Sequence, residues 1–286
     1  MNEIKKFDRR RKYYMIFDCE TATLPLVNDY PKNIRKTISI AMPLIYDMGY
    51  TIVDRKGNIY AKRNFLISEI FSVPSIFDTA YYKDKRPIYL ELLNNNEIEL
   101  TTWKTATRLF EYDLSLVESV GAYNAMFDYK KAIAFTEQYI NALYSPNYSA
   151  WEQIQSEKMK KIANGMKPKN NNFDKDNFTF RGKNCPLFDL WGLSCIYLLN
   201  NNEYRQFCYD NNLFSASKQY FSTTAESTFR FITDNNDFTE AHTALNDAEI
   251  ESEIFGLITK KSRNKYEMGI IYFPFRIVGK AQQLMP

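Results

Sequence analysis

The 286-residue chain contains one histidine and four cysteines, and no two of the cysteines are spaced C-x-x-C. Neither a zinc ribbon nor a thioredoxin-like redox motif can be read from such spacing, so Cys19, Cys185, Cys195 and Cys208 are expected as reduced thiols of a cytoplasmic protein. An excess of either charge is also missing. The 37 Lys and Arg residues against 34 Asp and Glu leave a formal +3, too little for a histone-like binder but compatible with a polyanion held on a local patch. Long apolar runs are absent as well. Residues 37–53 are interrupted by Pro43 and Asp47 and fall short of the roughly 18 uncharged residues of a membrane span. The apolar run at 13–17 is too short for a signal-peptide core and soon meets Asp18. No membrane partner, no secretion signal and no internal repeat are therefore expected.

What is present is the composition of a folded protein: 45% hydrophobic, 16% aromatic and 25% charged residues. The length suits one large domain, or one domain with additions. Residues 13–17 form a compact β-prone run ending at Asp18 and Glu20, which predicts a strand buried on both faces with functional groups at its carboxyl end. Residues 45–53 and 59–65 flank a Gly-containing loop and predict an antiparallel hairpin. Near-helical apolar spacing behind a Thr cap predicts a helix over 101–119, followed by a short strand at 120–123. A second helix is expected from Asp128 to Tyr144, ahead of Pro146. Residues 158–183 are rich in Lys and Asn and read as a long exposed insertion. A strand at 185–190, a helix at 190–199, a hairpin around 219–232, a helix at 243–261 and a β-prone tail at 269–278 complete the pattern. Strand and helix alternation after an opening hairpin indicates an α/β sheet of mixed direction.

Asp18 and Glu20 sit two apart on the first strand, so alternation points both carboxylates to one face. Such a pair can grip a hard cation such as Mg²⁺, and two ions about 3.5–4 Å apart stabilise the attacking and leaving oxygens of a phosphoryl transfer. By itself the pair is more often a solvated strand end. Asp128 falls where a short strand turns into a helix, where an acidic residue is also favoured by the helix dipole. His242, the single histidine, lies five residues before Asp247 and just ahead of a helix. Its ordinary pKa of about 6.5 suits a general base near neutrality.

The order of these groups is more specific than any one of them. FDCET, then YNAMFDYK, then HTALNDA resembles the three motifs of the DEDDh, or DnaQ-like, 3′-to-5′ exonuclease family, over residues 13–258. Asp18, Glu20 and Thr21 match the first motif, D-x-E-T. Asn124, Phe127 and Asp128 match the second, N-x-x-F-D, and His242, Ala244, Asp247 and Ala248 match the third, H-x-A-x-x-D-A. The hairpin at 45–65 lies where that family has its second and third strands.

The resemblance implies a ribonuclease-H-like fold, with a mixed five-stranded sheet of antiparallel meander and parallel strands flanked by helices. It implies an exonuclease domain over 13–261 interrupted at about 158–183, with a basic arm at 1–12 and a C-terminal extension at 262–286. It further implies a site for two Mg²⁺ or Mn²⁺ ions, with Asp18, Glu20 and Asp247 on one, Asp18 shared with the second, and Asp128 acting mostly through water. His242 would take the proton of the attacking water, and nucleoside 5′-monophosphates would leave a 3′ end. Thr21 matches the position whose backbone N–H meets the terminal 3′-hydroxyl, and Leu24 an apolar position near the terminal bases. Asn124 and Phe127 join these on the substrate side. The first motif departs from the family in continuing Thr21-Ala22-Thr23 where Thr-Thr-Gly is usual.

The implied partner is a single-stranded nucleic-acid 3′ end, DNA ahead of RNA, in replication, repair or turnover, with a DNA polymerase or replication complex as a further partner. An RNA or short-oligonucleotide exonuclease uses the same groups, because the 2′-hydroxyl is sensed elsewhere. A non-catalytic nucleic-acid or polymerase-binding module on this fold is the alternative of another class, although all four carboxylates and the histidine are present. Lys5, Lys6, Arg9, Arg10, Arg11 and Lys12, and again Lys158, Lys160, Lys161, Lys167 and Lys169, form basic runs that are either solvated faces or tracks for a phosphate backbone.

Overall fold

The structure is a computed structural model that describes residues 11–166 and 174–281. Lys5, Lys6, Arg9, Arg10, Lys167 and Lys169 lie outside the described residues. Seven strands form one mixed sheet: β1 (Tyr14–Ala22), β2 (Leu44–Val53), β3 (Ile59–Ile67), β4 (Glu99–Thr101), β5 (Ser119–Ala122), β6 (Asn177–Phe180) and β7 (Lys183–Asp189). Their spatial order is β4-β3-β2-β1-β5-β7-β6. The β1-β2-β3 meander is antiparallel, while β5 runs parallel to β1 and β7 parallel to β5. Helices cover both faces, so the α/β class with antiparallel and parallel pairing holds, and two edge strands bring the expected five strands to seven.

Alternation along β1 divides the core. Met15, Phe17 and Cys19 enter one cluster with Trp103, Phe110, Tyr129 and Ile133. Tyr14 and Ile16 enter the other with Ile254, Phe255 and Ile258 of the Ala244–Lys261 helix. Asp18 and Glu20 continue the Tyr14-Ile16 row, so the pleat turns both carboxylates towards that helix. Tyr14 packs on Phe255 with ring centroids 5.0 Å apart, which places the apolar half of the helix beside the start of β1 and its first turns beside Asp18 and Glu20.

The strand β2 holds the helix in place through one face. Asp47 Oδ2 accepts the Ala244 N–H at 2.9 Å, and the Thr51 and Ser252 hydroxyls meet at 2.6 Å. Between them, Gly49 has no side chain where one would collide with backbone: a Cβ there would lie 2.2 Å from Leu245 N and 2.3 Å from Ala244 C. Gly49 is also the cross-strand partner of Asp18.

Four expectations need correction. Residues 158–183 are not wholly an exposed insertion. Lys158 to Ala163 end the Tyr148–Ala163 helix, and 177–180 form edge strand β6, because Phe178 and Phe180 alternate into the core around exposed Thr179. Residues 167–173 of that stretch lie outside the described residues. The hairpin around 219–232 is instead helix Ala225–Thr233, capped where Thr224 Oγ1 accepts the Ser227 N–H at 3.1 Å. Its Phe229, Phe231 and Ile232 are β-prone residues that pack from the helix against the second core. The tail contributes a single bridge, Gly269 to Phe188, before a short helix, Phe275–Val278, that follows Pro274. The helix expected from Asp128 begins at Ala125 and passes through one wide turn, Asp128–Ala132, before Ile133–Leu143. All four cysteines are free and buried. Among the described residues no helix is long and apolar enough to cross a membrane.

Gly49→Ala is expected to destabilise the protein by about 3 kcal/mol, the upper end of overpacking costs, because its neighbours are backbone and cannot rotate away. For a chain of this size each kcal/mol lowers the melting temperature by roughly 2–4 °C. Thermal denaturation of the variant checks this, and an unchanged melting temperature would contradict the close approach of helix and strand.

Candidate active site

The carboxyl ends of β1 and β5 and the first turns of the Ala244–Lys261 helix bring the motif residues to one place. Asp18 and Glu20 arrive from β1, with a register irregularity immediately after Glu20 that re-aims the strand at Thr21. Asp128 arrives from the opposite helical layer, buried to 3% and accepting the Cys19 thiol at 3.3 Å. Asp247 lies in the first turn of the closing helix. Ligand atoms of Glu20, His242 and Asp247 all lie within 4.8 Å of one another, a spacing that a single cation can span. His242 Nδ1 is 3.6 Å from Glu240 and 3.9 Å from Asp247.

The remaining predicted residues separate into lining and support. Thr21 is half-buried at the end of β1. The Asn124 side chain is exposed, while its carbonyl accepts the N–H groups of Phe127 at 2.7 Å and Asp128 at 3.1 Å, folding the turn that delivers Asp128. Phe127 is half-buried against the first core cluster. Leu24 is 2% exposed and belongs to that core. Thr23 is fully buried. Its hydroxyl donates to the Met42 carbonyl at 2.8 Å and its N–H to Thr79 Oγ1 at 2.8 Å, so Thr23 anchors the loop after β1.

Sequence reasoning missed three carboxylates: Glu240 beside His242, Glu251 and Asp47. Glu251, one helical turn beyond Asp247 and 2% exposed, accepts the Tyr123 N–H at 3.2 Å. It ties the closing helix to the end of β5 and raises the pKa of Asp18 more than any other neighbouring charge does. The signal was available as the i, i+4 spacing of Asp247 and Glu251 on one face. Asp47, fully buried, accepts both the Ala244 N–H and the Tyr89 hydroxyl at 2.9 Å, and stands opposite Glu20 across the β1-β2 pair. It follows Tyr46 in a strand otherwise read as apolar, so only the tertiary contact exposes its part.

Burial and mutual repulsion dominate the electrostatics. Desolvation pushes Asp18, Glu20 and Glu251 well above the ordinary carboxylate range, with the neighbouring acids adding to it. Burial raises Asp128 to about 7, and burial with the Glu240 and Asp47 charges raises Asp247 to about 8. Lys85 is the cation that opposes this for Glu20 and Asp247. Burial, followed by the Lys85 charge, holds His242 below its usual pKa, keeping the imidazole neutral and able to accept a proton. Two buried oxygens of the cluster, Asp247 Oδ1 and Asp47 Oδ1, have no hydrogen-bond partner among the described residues. A set of hard oxygen donors, short of cations and with two oxygens orphaned, fits a divalent ion such as Mg²⁺ or Mn²⁺.

Without an added cation, the raised carboxylates make stability depend on pH in one direction. The folded state retains protons on Asp128 and Asp247 up to about 7 and 8, whereas the unfolded chain releases them near 4. The contribution is therefore full below about pH 4 and lost progressively as pH rises to about 8. In chelator the melting temperature should fall across that window, and Glu251→Gln, which keeps an acceptor for Tyr123 N–H but removes a charge, should flatten the fall. Differential scanning calorimetry at matched ionic strength checks both; a wild-type curve that rises from pH 5 to 8 would contradict the buried charge cluster.

Compared with known proteins, the chain matches no family model, no curated protein and no solved structure.

Proposed function

We propose that the protein is a DEDDh-type 3′-to-5′ exonuclease with a ribonuclease-H-like core, dependent on Mg²⁺ or Mn²⁺ and acting on the 3′ ends of single-stranded nucleic acid. The observation that carries this reading is the meeting of Glu20, Asp247 and His242 within 4.8 Å, beside Asp18 and Asp128, from three chain segments whose sequences match the three motifs in order. The meander followed by parallel strands supports the same reading of the sheet.

On this reading Asp18, Glu20 and Asp247 would hold one ion, and Asp18, with Asp128 through water, a second. The ions, when bound, supply positive charge where negative charge develops on the attacking and leaving oxygens. His242, neutral and partly exposed, accepts the proton of the attacking water. Glu20 and Asp247 fix the donor set against which the scissile phosphate would lie. Thr21, at the irregular end of β1, offers a backbone donor for the terminal 3′-hydroxyl, and exposed Asn124 and half-buried Phe127 flank the same strand ends.

The test compares 5′-labelled single-stranded DNA, duplex DNA and RNA with Mg²⁺, Mn²⁺ or chelator. Stepwise shortening from the 3′ end with release of 5′-mononucleotides is expected with either metal, fastest on single-stranded DNA, and none in chelator. Asp18→Asn or Asp247→Asn should abolish turnover in a folded protein. His242→Gln should lower it by about 10²- to 10⁴-fold, the usual contribution of a general base. Near wild-type turnover in Asp18→Asn would sink the assignment. Saturating Mn²⁺ should also raise the melting temperature, since a ligand specific to the folded state contributes about 2.7 kcal/mol at a hundred times its dissociation constant. Asp247→Asn should gain much less from Mn²⁺ than wild type, by calorimetry.

A further inference from the structure

The segment between the short helix Pro74–Phe77 and the helix Arg86–Asn94 belongs to none of the three motifs, yet it reaches the site. Its Tyr82 ring lies on the His242 imidazole, with centroids 4.5 Å apart and planes inclined by 16°. The Lys85 ammonium lies 4.7 Å from the centroid of the same Tyr82 ring and donates to the carbonyl of Ala241, the residue before His242. Tyr81 completes the group, edge-on to Tyr82 at 4.8 Å and 84% exposed.

His242 needs such support. It lies outside any helix or strand, and its φ of +50° is in the left-handed region that non-glycine residues seldom occupy. Glu240 and Asp247, at 3.6 and 3.9 Å from its Nδ1, are too far to fix the ring by a hydrogen bond. The flat face of Tyr82 does what those carboxylates do not, because a near-parallel contact sets the plane of the imidazole. The Lys85 bond to Ala241 fixes the backbone from which that ring projects.

We propose that Tyr82 and Lys85 form a clamp that orients His242, with Tyr82 a positioning residue for the general base. The inference rests on the exonuclease reading for the role of His242, while the clamp itself can be observed without any substrate. A bland packing contact would also bring two rings together, but it would not make turnover depend on Tyr82 through His242 alone.

The test uses the full chain and exploits the single histidine, whose ring protons give two unambiguous NMR signals. Stacking beneath Tyr82 should move these signals upfield of free histidine in wild type and in Tyr82→Phe, and Tyr82→Leu should return them towards the free position. Lys85→Met should move them the same way as Tyr82→Leu. With single-stranded DNA and Mn²⁺, Tyr82→Leu should lower kcat by about 10- to 100-fold, as expected of a misplaced catalytic group, with KM changed less than about twofold. Tyr82→Phe should restore it. Introduced into His242→Gln, Tyr82→Leu should have no further effect, since the two act as one unit. Unchanged ring signals in Tyr82→Leu, or an equal loss of kcat in the His242→Gln background, would overturn the proposal. Ring signals that follow the variants as expected, in a wild type that hydrolyses nothing, would uphold the clamp and overturn the exonuclease reading.

Discussion

The seating of the Ala244–Lys261 helix on β1 and β2 is the constraint on which the rest of the site depends. Three residues on one face of β2 accomplish it: Asp47 caps the helix, Gly49 admits its backbone, and Thr51 bonds Ser252. Their cross-strand partners on β1 are Glu20, Asp18 and Ile16. The residues that dock the helix and those proposed to carry the chemistry are thus paired neighbours on the same sheet face. A displacement of the helix by the width of one methyl group moves Asp247 and Glu251 relative to Asp18 and Glu20, so packing precision and site geometry are one requirement.

That arrangement sets folding against charge. Asp18, Glu20, Asp47, Asp128, Asp247 and Glu251 converge where β1 and β5 end, and Lys85 is the cation acting on Glu20 and Asp247. Ionised together and bare, these groups would repel in a poorly hydrated space, which is why burial and neighbouring acids drive their pKa values upward. Protons relieve the repulsion at low pH, and the proposed divalent cation would do so at neutral pH. Backbone donors share the load: Ala244 N–H on Asp47 and Tyr123 N–H on Glu251.

Much of this was legible in the sequence. The run at 13–17 ending in Asp18 and Glu20, the hairpin at 45–65 and the helix carrying Asp247 follow from alternation and helical spacing, and the structure has them. Thr102 was readable as a cap and accepts the Thr105 N–H at 3.3 Å. What failed was local pattern in the wrong company. Phe178-Thr179-Phe180 alternates as a strand should, but the Lys and Asn residues around it hid the signal. Phe229, Phe231 and Ile232 look β-prone until the Thr224 cap is given its weight. Asp47, Gly49, Tyr82 and Lys85 could not be found by spacing, because each acts on a residue more than 150 positions away in the chain.

Glu251 raises the question of why a buried position carries a charge when an amide would make the same bond. A Gln could accept the Tyr123 N–H as well and would spare the site one negative group. What the carboxylate adds is field at Asp18, which feels Glu251 more strongly than Asp128, Asp247 or Glu20. Such a field is costly with no cation near and favourable with one, because each added negative charge strengthens the attraction for a divalent ion more than it disturbs a site already neutralised by it. On the proposed reading, Glu251 would trade stability of the cation-free protein for cation affinity, from a position whose bond to the Tyr123 N–H holds the end of β5 against the closing helix.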